Sequence, residues 1–158
     1  MFEISKKCTI AHVNTRRGKQ DTSPVAIDIK IKAEDVSAAV AATALRADKT
    51  KEVSDAFFKG EEQRFLGIGE IVIDEAWEGK HKLKIMSLPA MRCAKLWKIR
   101  VHPRAKGLFD VTFQVTIEEP PQNYIDAIAR KINDTAMINL EQDAELDLKR
   151  PEAEGEGE

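Results

Sequence analysis

The chain has 158 residues, 42% of them hydrophobic and 33% charged, with a formal net charge of −2 and only two cysteines. That composition suits one domain with an ordinary core, and no apolar run approaches the roughly 20 residues that a spanning helix needs. The opening MFEISKKCTI has no apolar leader region, and Cys8 and Cys93 stand far apart, so the expected setting is a reducing cytoplasm with two free thiols and no membrane segment.

The first segment, FEISKKCTIAHV, puts Phe2, Ile4, Cys8 and Ile10 on one side with Lys6 as the interruption, the pattern of a long strand. NTRRGKQDTSP follows as a turn-rich loop carrying Arg16, Arg17 and Lys19. In VAIDIKIK the period of two is clearest: Val25, Ile27, Ile29 and Ile31 face one way, Asp28, Lys30 and Lys32 the other. A hairpin with a long basic loop is expected. Residues 33–47 switch to helical spacing through Val36, Ala39, Val40 and Ala44, and Val53, Phe57 and Phe58 suggest a second short helix stopped at Gly60.

Strands resume in IGEIVIDEAWEGKHKLKIM, where Trp77-Glu78-Gly79-Lys80 reads as a hairpin tip. MRCAKLWKIRV predicts a strand with Cys93, Trp97, Ile99 and Val101 inward and Lys98, Arg100 and His102 outward. In LFDVTFQVTI the inward set is Phe109, Val111, Phe113, Val115 and Ile117. After Pro120-Pro121, QNYIDAIARKIND predicts an amphipathic helix with Tyr124, Ile125, Ile128 and Ile132 buried, proline being favourable where a helix opens. TAMINLEQDAELDL is a last strand fading into a tail. Together these give a strand-rich α+β fold of about seven antiparallel strands, an OB-like barrel or a sandwich, with two or three inserted helices.

The small net charge conceals a split. Residues 141–158 hold eight of the 27 acids and two of the 25 bases, a net of −6, which leaves +4 on residues 1–140. The expected organisation is therefore one globular domain over 1–140 and an acidic tail over 141–158, too poor in apolar residues to fold alone.

Signatures of chemistry are sparse. Cys8 and His12 share a predicted strand face, and His81, Cys93 and His102 come later, but no spacing matches a zinc site. There is no G-x-S-x-G elbow, and GIGE at 67–70 lacks the strand and helix that a phosphate-cradling loop needs. Asp28-Ile29-Lys30 has a D-x-K spacing that alternating polar faces produce by chance, and Asp74-Glu75 and Glu118-Glu119 read as solvated turn acids. No cofactor and no enzymatic activity are expected.

The basic residues are better organised. Lys82 and Lys84 share one strand face, and Lys98, Arg100, His102 and Arg104 share another; with Arg16, Arg17 and Lys19 they form a polyanion footprint if the strands are neighbours. Single-strand binders also need aromatic platforms. Trp77 at the expected hairpin tip, with Phe57, Phe58 and Phe65 beside turns, are the candidates, while Trp97, Phe109 and Phe113 read as core.

FEISKKCTIAHVNTRR followed by PVAIDIKI resembles the start of a group of small bacteriophage proteins of mostly unassigned function, and GLFDVTFQVTI with AMINLE is similar to their close. The likeness covers about two thirds of the chain in pattern and implies a phage accessory protein near replication or recombination. The layout also resembles phage and bacterial single-stranded DNA-binding proteins, whose acidic C-terminus masks the groove and recruits partners. Here the tail finishes Glu156-Gly157-Glu158, without the bulky apolar residue that docks in such partners, so masking is the part that carries over. The expected function is binding of single-stranded nucleic acid, DNA first, through Arg16, Arg17, Lys19, Trp77, Lys82, Lys84, Lys98, Arg100 and Arg104. Two other readings remain: a phage protein that binds a host protein through its tail or sheet, and a virion assembly protein.

Overall fold

Alternating apolar residues build most of the strands, and bulges interrupt the alternation in several of them. The computed structural model describes residues 2–17, 24–44, 71–73, 76–104 and 108–142. Seven strands are β1 (Ile4–Arg17), β2 (Pro24–Ser37), β3 (Ile71–Ile73), β4 (Trp77–Ile85), β5 (Met91–Pro103), β6 (Leu108–Glu118) and β7 (Thr135–Gln142); α1 (Ala38–Thr43) follows β2 and α2 (Gln122–Ala129) precedes β7. Among the described residues these strands pair antiparallel and join one sheet in the order β3-β5-β4-β7-β1-β2-β6. Strand β5 also pairs with β6, so β5, β4, β7, β1, β2 and β6 form a closed cycle. Strands β3 and β4 occupy successive stretches of the same edge of β5.

The expected strand-rich α+β class is the observed one. Its inward side holds one core that includes Ile27, Ile29 and Ile31 of β2, Leu83 and Ile85 of β4, Phe113 and Val115 of β6, and Ile138 of β7, all fully buried. Phe2 packs edge-on against Phe113 with ring centroids 5.6 Å apart, and Tyr124, Ile125 and Ile128 of α2 join the same cluster. Each large apolar side chain so enclosed contributes about 1.5–3 kcal/mol.

Several local expectations change, each for a backbone reason. β1 runs through Asn14, Thr15, Arg16 and Arg17, so these are ladder residues and not loop. A bulge between Ile10 and His12 reverses which side chains face the core; His12 is exposed opposite Lys30 and does not share a face with buried Cys8. Residues 33–37 belong to β2 and not to a helix. Ala33 and Val36 are both buried because the strand bulges between them, with Asp35 at φ +53, and a bulged strand mimics three-residue helical spacing. Lys6, the polar interruption of β1, donates to the carbonyls of Glu34 and Asp35 in that bulge. Helix α1 then starts at Ala38, its first turn capped by the Ser37 Oγ, which accepts the Val40 N–H at 3.3 Å.

Trp77–Lys80 is not a hairpin tip. Gly79, at φ +63, sits in a bulge within β4, and the chain reverses instead at residues 86–90 with Met86 at φ +51. A Cβ on Gly79 would meet only Arg92 Nη2 at 3.5 Å, so backbone conformation and not space calls for glycine. His81 is fully buried. Helix α2 ends at Ala129, which leaves Ile132 in the following turn and 38% exposed. That turn is tied to the β1 bulge: Asn133 N–H donates to Ile10 O at 2.7 Å and Ile10 N–H to Asp134 O at 3.1 Å. The second helix expected near Val53–Phe58, the aromatics Phe57, Phe58 and Phe65, the GIGE stretch and the acids Asp74 and Glu75 lie outside the described residues. No helix among the described residues is long and apolar enough to cross a membrane.

Candidate functional site

The site is made by a bulge in β5. From Trp97 to Arg100 the strand advances three residues while β6 advances two, from Gln114 to Thr112, and Lys98 takes φ +51. Leu96 and Ile99 stay fully buried on either side. Trp97 and Lys98 therefore both leave the core, followed by exposed Arg100. A left-handed conformation costs a β-carbon residue about 1–2 kcal/mol, so a lysine held there is an outlier of the kind that collects at functional sites.

Trp97, expected in the core, is half-buried on the outer face. The ammoniums of Lys95 and Lys98 lie 4.0 and 4.6 Å from its ring centroid. Each such contact contributes about 0.5–1 kcal/mol at an exposed site. The indole edge is pinned by a chain of hydrogen bonds across four strands. Trp97 Nε1–H donates to Thr116 Oγ1 at 2.9 Å, the Thr116 hydroxyl donates to Asp28 Oδ1 at 2.7 Å, and Arg16 donates to the same oxygen at 2.9 Å. The Asp28 carboxylate, 7% exposed, is thereby satisfied in the middle of a basic face. Around Trp97 opens a cleft of about 350 Å³ lined by Val72, Ile73, Ala76, Lys95, Trp97, Lys98 and Arg100. Val72 is 52% exposed and supplies an apolar wall.

The other expected site residues divide. Arg16 faces the same side through Asp28, and Arg17 closes β1 opposite Pro24. Arg104 lies just past the end of β5 and is held by buried Asp110 at 2.7 Å. Lys82 and Lys84 point outward on β4, opposite Arg92 of β5 and opposite Glu141 and Asn139 of β7, and do not line the cleft. Lys82 pairs with Glu141 at 3.5 Å, where the acidic segment begins. Trp77 is half-buried against the core, its ring edge-on to His81 at 5.8 Å, and it stands within β4 and not at a turn. Lys19 and residues 143–158 lie outside the described residues.

Sequence reasoning missed Lys95 and Trp97, and it left Lys30 and Lys32 as ordinary outward lysines. One signal was available: Leu96 and Trp97 are adjacent apolar residues flanked by Lys95 and Lys98, and a strand cannot bury both neighbours on one side. Among the described residues, no carboxylate stands within ion-pair distance of Lys30, Lys84, Lys95 or Lys98.

Burial pushes Cys8 up to about 11 and Cys93 to about 12, well away from thiolate chemistry. Burial lowers the His81 imidazole, a shift partly opposed by the 2.9 Å bond between its Nε2 and the Phe2 carbonyl. Among the described residues, no three His, Cys, Asp or Glu side chains gather as a metal site. A second cleft of about 320 Å³, between β1 and β7, is lined by Glu3, Ile4, Ser5, Asn139, Leu140 and Glu141 and carries the opposite charge. Comparison of the chain with protein-family models, with curated proteins and with solved structures finds no match to any of them.

Proposed function

We propose that the chain is a non-enzymatic binder of single-stranded nucleic acid, DNA first, that engages its partner through the Trp97 cleft. One observation carries the reading: a half-buried indole sits among Lys95, Lys98 and Arg100 in a cleft large enough for a planar base. Stacking supplies sequence-tolerant affinity, and the bases on either side neutralise phosphates. We read the closed cycle of strands as an OB-like barrel and the chain as a phage accessory protein acting in the host cytoplasm, the setting its resemblance implies. The acidic segment that begins at Glu141 acts as an intramolecular competitor; the Lys82–Glu141 pair is its first contact with the basic surface.

Fluorescence anisotropy with a labelled oligo-dT tests this. Trp97→Ala should weaken binding about 5- to 150-fold, the equivalent of about 1–3 kcal/mol of stacking. Lys98→Glu with Arg100→Glu should abolish it. Removing residues 143–158, which leaves β7 whole, should tighten it. If the full chain and the shortened chain both fail to bind at low salt, the reading is wrong, and a protein partner becomes the subject of the next experiment.

A further inference from the structure

We infer that the bound strand crosses the sheet from β5 to β2, with Lys30 and Lys32 as phosphate contacts beyond the Trp97 cleft; this rests on the nucleic-acid reading above. The register gives the path. Trp97 lies beside Gln114, Gln114 beside Lys30 and Lys30 beside His12, while Arg100 lies beside Thr112 and Thr112 beside Lys32. All of these are exposed or half-exposed on the outer face. Two interstrand steps, roughly 10 Å, separate the bases of β5 from those of β2. The residues between, Gln114 and Thr112, are uncharged and can bond a base edge or a sugar.

The directions along β5 are worse for a polyanion. Towards Arg104 the strand meets Asp110, which already holds that guanidinium at 2.7 Å. Towards Lys95 it meets the exposed Glu78, the register partner of Lys95 on β4. Across the sheet, Asp28 is occupied by Thr116 and Arg16. Lys32 faces Glu34 at 3.7 Å, but both side chains are more than 40% exposed, and so loose a surface pair yields readily to a phosphate.

Binding of the full chain to labelled oligo-dT, followed between about 50 and 200 mM salt, tests the path. If Lys98, Arg100, Lys30 and Lys32 each meet one phosphate, those four contribute about −2.8 to the slope of log K against log salt, at about −0.7 per contact on a single strand, and displacement of the acidic segment makes the whole slope shallower than the sum of its contacts. Lys30→Gln with Lys32→Gln should make the slope shallower by about 1.4, whereas Lys30→Arg with Lys32→Arg should preserve it. Arg130→Gln with Lys131→Gln, an equal change of charge just beyond α2, should leave the slope where it was. If the β2 pair behaves like that control while Trp97→Ala still weakens binding, the path is wrong and the cleft stands. Failure of the unaltered chain to bind at all overturns both.

Discussion

Lys98 offers a test of sign as well as size. In an ordinary strand interior alanine is more stable than glycine by about 0.5–1 kcal/mol, because glycine loses more freedom on folding. At Lys98 the backbone sits at φ +51, where a β-carbon costs about 1–2 kcal/mol and glycine pays nothing. Replacing the lysine by either residue removes the same ammonium and the same contact with Trp97, so those losses cancel between the two variants. What remains favours glycine by about 0.5–1 kcal/mol, the reverse of the usual order. For a chain of this size that corresponds to a melting midpoint about 1–4 °C higher for Lys98→Gly than for Lys98→Ala. Paired calorimetric scans, supported by urea midpoints, measure it directly. If Lys98→Ala equals or exceeds Lys98→Gly, Lys98 is not left-handed and the bulge that turns Trp97 outward does not exist.

Two further predictions concern the polar groups beneath the site and inside the core. Thr116→Val removes the hydroxyl that joins Trp97 to Asp28 and should destabilise the fold by about 1.5–3 kcal/mol, the usual range for a hydrogen bond to a charged group. Thr116→Ser should recover most of that in urea unfolding, and equal losses for both variants would show that methyl packing matters and the hydroxyl does not. The buried His81 takes up a proton less readily folded than unfolded, its folded pKa lying below the usual 6.5. Its contribution is therefore absent well above pH 6.5 and grows as a penalty once the pH falls below that value, by at most about 1.4 kcal/mol per pH unit. His81→Gln should flatten that acid slope in urea midpoints; a slope of unchanged steepness would place the acid sensitivity in other groups.

Much of the fold was legible because burial on one side of a strand imposes a period of two, and β2, β6 and β7 keep that period over long stretches. Ile27, Ile29 and Ile31, or Phe109 through Ile117, admit no other arrangement once one face is enclosed. The misreadings fall where a strand gains a residue. A bulge moves every following side chain to the other face, and nothing in local composition distinguishes an added residue from a helical step. Hence residues 33–37 suggested a helix whose apolar stripe began with Val36, His12 appeared to share a face with Cys8, and Trp97 appeared buried. The site was legible in its charge and not in its aromatic. Lys98 and Arg100 are outward under either alternation, but whether Trp97 or Trp77 stands beside them depends on two bulges, at Lys98 and at Gly79.

The charge split gains meaning from where β7 ends. Strand β7 is paired on both sides, by β1 and by β4, so the start of the acidic segment is fixed against the β4 lysines and not left to chance. Sixteen residues follow Gln142, with seven acids and two bases. Fully extended they span at most roughly 50–58 Å, far more than the few interstrand steps that separate β7 from the Trp97 face, so reach does not limit competition. A tethered competitor acts at a high effective concentration, but it is screened by the same salt that screens the nucleic acid. Displacing it exchanges one set of ion contacts for another and releases fewer counterions than binding to a bare surface. Under this reading the full chain must therefore bind more weakly than residues 1–142 at low salt and show a shallower salt dependence, so that the two curves converge as salt rises. A tail that only adds bulk would lower affinity equally at every salt concentration.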